Sequence, residues 1–139
     1  HYYAIEKNPL PSEVIKTLNY PVEQEHNALF YKIHECGWDS DSVIHDYFTL
    51  HKIHRDVTGY LPPWDIDLVY FDAFSPETQP EIWTAEIFNA IYQSMNPGGI
   101  LTTYCVKGSV KRTLRNCGFE IEKLPGPPGK REILRASKK

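Results

Sequence analysis

The most informative pattern of apolar and polar positions is the short, mostly apolar run from Ile66 to Phe71, which is rich in β-branched and aromatic side chains. A run of this length, followed by turn-forming residues, is typical of a strand that is buried on both faces. It ends at a carboxylate, Asp72, and the sequence AFSPETQP follows. Ligands of open α/β sheets bind outside the carboxyl ends of the strands, so this pattern makes Asp72 the leading catalytic candidate.

Apolar periodicity elsewhere predicts the remaining elements. Strands are expected over 1–6, 47–54, 100–106, 119–124 and 132–136. Helices are expected over 12–18, 23–36, 80–95 and 109–116. Ser12 is expected to cap the first helix and Gly37 to end the second, while NPGG ends the third. An acidic turn is expected at 38–41, and the last two strands should form an antiparallel hairpin around PGPPGK.

This order of elements indicates the final part of a doubly wound α/β sheet with an antiparallel edge. The length of 139 residues favours one domain spanning residues 1–139. Hydrophobic residues make up 41% and charged residues 24%, which is globular rather than disordered composition. No apolar run approaches the roughly 18 residues that cross a bilayer, and no segment resembles a signal peptide, so no membrane association is expected.

The three cysteines are Cys36, Cys105 and Cys117. An odd number without a CxxC pair indicates neither a disulfide framework nor a zinc site, and it fits a reducing cytoplasm. Each is expected to be a small buried hydrophobe, most clearly Cys105, which falls inside a predicted strand.

Charge is distributed unevenly along the chain, although the net charge is only −3. Residues 1–106 hold 5 Lys and Arg against 15 Asp and Glu, a balance of −10, whereas residues 107–139 hold 10 against 3, a balance of +7. This split favours a basic face that binds a polyanion, and solvated helix and strand surfaces are the alternative. The pI of about 6.1 does not by itself indicate a nucleic-acid-binding domain.

Three predicted strands are followed or closed by acids, namely Glu6, Asp56 and Asp72. A strand that ends in an acid and leads through a turn into a helix is the unit whose carboxylate accepts the ribose hydroxyls of a nucleotide. Taken alone, Glu6 also fits an ordinary surface residue. Three acids on one sheet edge together favour a nucleotide-type pocket.

Two other features do not indicate a ligand site. His51 and His54 are close in sequence, but residues three apart on a strand point to opposite faces, so no shared metal site is expected. The loop PGPPGK contains GK but lacks the spacing and the following helix of a P-loop, so it is interpreted as a rigid turn.

Three blocks carry a family resemblance: DAFSPETQPEIWTAEIF, NPGGILTTYCVKGSVKRTLRNCGFEIEK and PGPPGKREILRA. Together they resemble the S-adenosylmethionine-dependent methyltransferase of the wobble-uridine pathway, which makes 5-methylaminomethyl-(2-thio)uridine in tRNA. The chain is similar to the stand-alone form of that enzyme, which in some bacteria is fused to an FAD-dependent oxidoreductase. The match is dense from residue 65 to 136 and looser before it, through YAIEKNPL and the run to HRD.

The resemblance implies a Rossmann-like class I methyltransferase sheet, S-adenosyl-L-methionine as cofactor and tRNA as partner, with an FAD-dependent oxidoreductase of the same pathway as a candidate partner. It implies that Glu6 binds the ribose hydroxyls, that Asp56 lies near the adenine and that Asp72 meets the substrate amine. The residues expected to line the target pocket are Phe74, Pro76 and Tyr104. Those expected to face tRNA phosphates are Lys107, Lys111, Arg112, Lys130 and Arg131. No metal ligand is expected.

Methyl transfer to an amine requires its neutral form, because the lone pair attacks the methyl group. A carboxylate at Asp72 can accept a hydrogen bond from the amine and orient that lone pair, with the proton passing to water or to the acid. The alternative interpretation of Asp72 is a strand-end acid that caps the turn formed by residues 73–76.

Methyltransferases of this fold open with a strand and a Gly-rich loop, and the chain shows no such loop. The sequence is therefore expected to start at the second strand of the fold and to bind cofactor only when the preceding segment is supplied. Two other functions stay open: a non-catalytic remnant that binds tRNA or protein, and a methyltransferase of the same fold that acts on a small molecule or a protein.

Overall fold

The computed structural model describes residues 1–20, 24–60 and 62–139, without the side chains of residues 24–26. These residues form two compact units, His1–Val57 and Thr58–Lys139. The single domain predicted over residues 1–139 stays a prediction.

The first unit contains a three-stranded sheet. Its strands are β1 (Tyr2–Glu6), β2 (Ser40–His45) and β3 (Phe48–His54), in the order β1-β3-β2. β1 and β3 are parallel, and Glu6 lies opposite His54 in their register. The carboxyl ends of both strands therefore meet at one edge, as predicted for parallel neighbours.

β2 was not predicted, and its first two residues fall within the predicted acidic turn at 38–41. Its sequence SDSVIH begins with three polar residues, and only Ile44 is buried, at 5% exposure. It pairs antiparallel with β3, with a two-residue connection between the strands. A half-exposed hairpin strand needs few apolar residues, so its hydrophobic signal is weak.

The helices of the first unit are α1 (Ser12–Ile15) and α2 (Gln24–Glu35). The predicted cap at Ser12 is wrong: Pro11 is the cap position, its carbonyl accepts from Val14 and Ile15, and the Ser12 hydroxyl bonds the Glu13 carboxylate instead. α1 also ends three residues before the predicted Leu18. The predicted start of α2, residue 23, lies outside the described residues.

The carboxyl end of α2 lies one residue before the predicted Cys36. Lys52 of β3, only 7% exposed, donates to the carbonyls of Ile33 and His34 at 3.3 and 2.8 Å. A buried ammonium at this position satisfies helix carbonyls that have no partner within the helix. Gly37 follows this end, as predicted.

The second unit contains a four-stranded sheet built from β4 (Ile66–Tyr70), β5 (Met95–Thr103), β6 (Glu120–Pro125) and β7 (Glu132–Ser137). The order is β4-β5-β7-β6, with β4 and β5 parallel and the other pairs antiparallel. The predicted C-terminal hairpin is confirmed as β6 and β7.

The predicted burial of β4 on both faces is wrong. Leu68 and Tyr70, which share one face of the strand, are 47% and 62% exposed, so that face is not covered by the described residues. β4 is also an edge strand whose described partner is β5 alone. Phe71, one residue beyond the strand, is the buried member of the apolar run, at 8% exposure. Its backbone N–H continues the ladder by donating to Thr102 at 2.9 Å.

Between β4 and β5 lie a 3-10 turn (Pro80–Ile82) and α3 (Ala85–Ser94), in place of the single predicted helix over 80–95. Thr84 separates them: its backbone is extended and its hydroxyl accepts from the N–H of Ile87 at 3.4 Å, which caps α3. α4 (Gly108–Asn116) agrees with the predicted basic helix. The largest fully buried side chains are Phe88, Leu101, Leu114 and Leu134.

β5 starts at Met95, five residues before the predicted start, and ends at Thr103, three residues before the predicted end. The NPGG segment belongs to the strand, because Gly98 donates to Lys138 and Gly99 accepts from it. A Cβ at Gly99 would lie 2.9 Å from the Asn96 carbonyl oxygen and 3.1 Å from the Ile66 carbonyl oxygen. Only glycine therefore fits at this position of the strand.

The three cysteines are free thiols. Cys105 is buried as predicted, at 4% exposure, but it lies beyond the end of β5 and its N–H bonds the Thr103 hydroxyl. Cys117 is buried, which raises the pKa of its thiol, whereas Cys36 is only half-buried.

Candidate active site

Asp72 lies two residues beyond the end of β4, at the carboxyl end of a parallel strand pair. Its side chain is exposed and forms no hydrogen bond or ion pair with any other described residue. A carboxylate in this state keeps its acceptor oxygens for a ligand. The structure thus provides an accessible acid where the sequence predicted one, and its catalytic role stays a prediction.

The turn that follows Asp72 is closed without that carboxylate. The carbonyl of Ser75 accepts from the N–H groups of Thr78 and Gln79 at 2.8 and 2.9 Å, and the hydroxyls of Ser75 and Thr78 lie 3.2 Å apart. The interpretation of Asp72 as a cap for this turn therefore has no support in the described contacts.

Two side chains hold the backbone just after Asp72. The Tyr104 hydroxyl donates to the carbonyl of Ala73 at 2.8 Å, and the Trp83 indole N–H donates to the carbonyl of Phe74 at 2.8 Å. The two rings meet edge to face, with centroids 6.4 Å apart. The side chain of Phe74 is 73% exposed, so its backbone is fixed while its ring faces outward.

Burial raises the pKa of Tyr104, and the neighbouring Cys105 and Asp72 raise it further. The phenol therefore stays protonated, and remains a donor, at neutral pH and well into the alkaline range.

The predicted target-pocket residues lie on or against this loop. Phe74 is exposed, Pro76 is half-buried in the same turn, and Tyr104 contacts the loop through its hydroxyl. The Tyr104 hydroxyl donates its proton to the Ala73 carbonyl, which leaves its ring and the acceptor lone pairs of its oxygen for a substrate.

The five residues predicted to face tRNA are not equivalent. Lys107 forms an ion pair with Glu77 of the loop after β4. Lys130 places its ammonium 4.6 Å from the centroid of the Tyr104 ring, a cation–π contact. The loop next to Asp72 is thus continuous with the basic hairpin turn.

Lys111 of α4 and Arg131 of the hairpin both lie close enough to Glu132 to lower the pKa of its carboxyl, after the larger effect of its hydrogen bond from Lys123. Neither cation forms an ion pair with a described residue, and the same holds for the exposed Arg112 on α4. These side chains form the basic surface, which we define as Lys111, Arg112, Lys130 and Arg131.

In the first unit, Glu6 and Asp56 come together at the carboxyl ends of β1 and β3. Glu6 accepts from the Asn8 N–H at 2.7 Å through its side chain and from the Arg55 N–H at 3.1 Å through its carbonyl. Asp56 forms an ion pair with Lys7 at 2.7 Å. The predicted shared edge is therefore confirmed for these two acids. Asp72 follows a strand of the other sheet, so the prediction that all three acids lie on one sheet edge is wrong for the described residues.

The acceptor groups at this edge fit the ribose of a nucleoside cofactor. Glu6 is exposed, and a backbone amide orients one of its carboxylate oxygens. An oriented, accessible carboxylate at the end of a parallel strand is the acceptor that vicinal hydroxyls require.

His51 and His54 have separate partners. The ring of His51 is buried, contacts Asp41 and His1 at 2.6 and 2.8 Å and stacks on Tyr3. The ring of His54 is exposed and contacts the Lys7 carbonyl at 3.2 Å. Within the described part of the chain, no group of three or more His, Cys, Asp or Glu side chains is arranged to hold a metal ion.

Residues 22–139 match the sequence model of a family described as S-adenosyl-L-methionine-dependent methyltransferase. The chain belongs to this family. Its class of cofactor, predicted from the three sequence blocks, is thereby confirmed as S-adenosyl-L-methionine.

Two relatives carry the name tRNA 5-methylaminomethyl-2-thiouridine biosynthesis bifunctional protein MnmC. That of Pseudoalteromonas atlantica is 30% identical over 145 residues, which covers 96% of this chain and 21% of the relative. That of Pseudomonas fluorescens is 32% identical over 143 residues, covering 97% and 22%. The chain thus spans about a fifth of the length of these relatives.

The crystal structure of MNMC2 from Aquifex aeolicus resembles this chain with a TM-score of 0.76 at 20% identity, covering 99% of this chain and 42% of that one. A structural likeness at 20% sequence identity shows the fold alone. Together with the family match, it confirms the predicted α/β, Rossmann-like methyltransferase class. In the described residues, no helix is long and apolar enough to cross a membrane.

Two residues that shape the loop after Asp72 were not predicted from the sequence. Trp83 is buried at 7% exposure, and its indole N–H also donates to the Phe74 carbonyl. Glu77 was not singled out, although it pairs with Lys107. A Trp just beyond a Pro-containing turn is only a weak sign that its indole holds a loop. Buried indoles usually bond some partner through their N–H, and the sequence does not show which one.

Proposed function

We propose that this chain forms the methyltransferase part of an enzyme that methylates the aminomethyl group on the wobble uridine of tRNA, giving 5-methylaminomethyl-(2-thio)uridine. The observation that carries the proposal is Asp72: an exposed carboxylate without a partner in the described structure, followed by a loop whose backbone is held and whose Phe74 ring is exposed. Both named relatives act in the biosynthesis of this nucleoside by their names.

Glu6 and Asp56 are the residues proposed to hold S-adenosyl-L-methionine, through the ribose hydroxyls and near the adenine respectively. When bound, this cofactor supplies an electrophilic methyl group. Glu6 contributes an oriented acceptor, and the Lys7 ion pair fixes the carboxylate of Asp56 at the same edge.

Asp72 is proposed to accept a hydrogen bond from the substrate amine and to orient its lone pair. An alkylammonium cannot attack, because its nitrogen has no free lone pair, so its proton must first pass to water or to the Asp72 carboxylate. A carboxylate lowers this barrier by orienting the neutral amine and by stabilising the positive charge that develops on nitrogen. The exposed Phe74 ring offers a face against which a base can stack.

The basic surface is proposed to contact tRNA phosphates. Lys130 joins this surface to the Asp72 loop through its contact with the Tyr104 ring. Phosphate contacts position a nucleic acid without reading its sequence, so this surface sets register rather than tRNA identity. Lys107 is proposed to contribute less, because it is paired with Glu77.

An FAD-dependent oxidoreductase acting in the same pathway is a further proposed partner, since the relatives are bifunctional by name. A coupled assay with that oxidoreductase tests this: we expect faster formation of the final nucleoside than with the two activities run in sequence. Equal rates would count against a physical partnership.

The proposal is tested by mass spectrometry of wobble nucleosides after incubation of the full-length protein with S-adenosyl-L-methionine and tRNA that bears the aminomethyl group. We expect the methylaminomethyl nucleoside to appear. Salt-sensitive tRNA binding without any methylation would indicate a non-catalytic binder. Absence of both tRNA binding and methylation would favour a methyltransferase for a small molecule or a protein.

A further inference from the structure

The loop after Asp72 is fixed on both sides of that residue. Before it, the N–H of Phe71 bonds Thr102 at 2.9 Å, and the Phe71 ring packs edge-on against Trp83, with centroids 4.9 Å apart. After it, the consecutive carbonyls of Ala73 and Phe74 accept from Tyr104 and Trp83. Asp72 itself bonds no described residue, so its position depends on these neighbours.

We propose that Trp83 and Tyr104 are positioning residues, which hold the backbone of Ala73 and Phe74 so that the Asp72 carboxylate and the Phe74 ring keep one orientation toward the substrate. The catalytic consequence rests on the proposed function. The restraint of the loop itself is a property of the free protein.

The two donors reach the loop from different elements. Trp83 lies between the 3-10 turn and α3 and is only 7% exposed, so its indole is locked by packing. Tyr104 follows β5, 31 residues from its acceptor. Donors anchored on separate elements restrain a loop more strongly than contacts within the loop, because the loop cannot move with both of them.

The protonation state of the Tyr104 hydroxyl supports this role. Burial and the neighbouring charges raise the pKa of its phenol, so the hydroxyl remains a donor over the pH range in which an amine substrate becomes neutral. Its ring is flanked by Trp83 on one side and by Lys130, 4.6 Å from the centroid, on another. The hydroxyl is thus held on its acceptor.

The test uses Tyr104→Phe and Trp83→Phe in the full-length protein. Each substitution keeps an aromatic ring and removes one hydrogen-bond donor. Tyr92→Phe is the matched control, because the Tyr92 hydroxyl bonds no described residue while its ring packs on Phe119. Tyr104→Phe changes no ring volume in the core, so it gives an answer even if Trp83→Phe folds poorly.

The first measurement is hydrogen exchange of residues 71–79 in the free protein, where the N–H groups of Thr78 and Gln79 are protected by Ser75. We expect exchange to accelerate about fivefold in each variant, the effect of one lost hydrogen bond, and to stay unchanged in Tyr92→Phe. The second measurement is steady-state methylation, in which we expect kcat to fall about fivefold with KM for tRNA changed less than about twofold.

Accelerated exchange with a lower kcat supports the proposal. Accelerated exchange in a protein that methylates no tRNA supports the loop restraint while the proposed function fails. Unchanged exchange in both variants overturns the proposal, and unchanged exchange with a lower kcat for Tyr104→Phe would mean that Tyr104 acts on the substrate directly.

Discussion

The two units hold their acids in opposite ways. At the edge formed by β1 and β3, Glu6 and Asp56 already have partners, the Asn8 N–H and the Lys7 ammonium. Beyond β4, Asp72 has no partner in the described structure, while the backbone on either side of it is bonded. Partnered carboxylates are oriented for binding, whereas an exposed carboxylate on a restrained backbone is available for a reacting group.

The largest effect is expected from Asp72→Asn, which keeps the shape of the side chain but removes its charge. We expect turnover to fall at least about a hundredfold, because groups that assist proton removal contribute on this scale. Cofactor binding should be unchanged. Single-turnover nucleoside analysis and calorimetry on the full-length protein measure the two quantities.

Asp67→Asn is the matched control, because Asp67 is an exposed acid on β4 that bonds the Asn96 side chain instead of facing the loop. Near-normal turnover in Asp72→Asn, or an equal loss in Asp67→Asn, would contradict the catalytic role of Asp72.

Glu6→Gln tests the partnered acids at the edge formed by β1 and β3. We expect S-adenosyl-L-methionine to bind about tenfold more weakly, the scale of a lost charge-assisted hydrogen bond, with kcat retained at saturating cofactor. Calorimetry of the full-length protein measures the affinity, with the exposed Glu13→Gln on α1 as control. Unchanged affinity would remove Glu6 from the cofactor site.

Lys111→Ala and Arg131→Ala should each weaken tRNA binding about threefold at physiological salt and reduce the slope of log affinity against log salt by about 0.7 to 0.9. Lys139→Ala is the control, since Lys139 pairs with Glu120 on the outer hairpin strand. A slope that is unchanged in both variants would place the tRNA elsewhere.

The smallest effect concerns Glu132, next to the basic surface. Its pKa is lowered, first by the hydrogen bond from Lys123 and then by Lys123, Arg131 and Lys111 as charges. Because the folded pKa lies below the unfolded one, this pair stabilises the hairpin above the ordinary carboxyl range and loses that effect as pH falls through the folded pKa. Titration by NMR should show the pKa returning toward its ordinary value in Lys123→Met, and no change would contradict the assignment.

Local pattern was sufficient for the elements with a strong apolar signal. The run that forms β4, the hairpin strands and the basic helix α4 were all predicted, and so was an acid at the carboxyl end of β4. β2 was missed because four of its six residues are polar and half-exposed hairpin strands need little apolar surface.

The restraint of the loop was not predictable from sequence, because it depends on tertiary contacts. Tyr104 lies 31 residues from Ala73, and Trp83 lies 9 residues from Phe74 with a 3-10 turn between them. Sequence spacing gives no direction for such side chains. The break between the 3-10 turn and α3 escaped prediction for a related reason, since Thr84 fits a helix by pattern but caps one here.

The central claim is that Asp72 meets the substrate amine, and the most direct test is a binding cycle. Two tRNAs, one with the aminomethyl group at the wobble uridine and one with an unmodified uridine, are titrated against the full-length protein and its Asp72→Asn variant. We predict that the amine strengthens binding to the parent protein several-fold and adds little to the variant, a coupling expected for a contacting pair. An equal gain from the amine in both proteins would contradict the account.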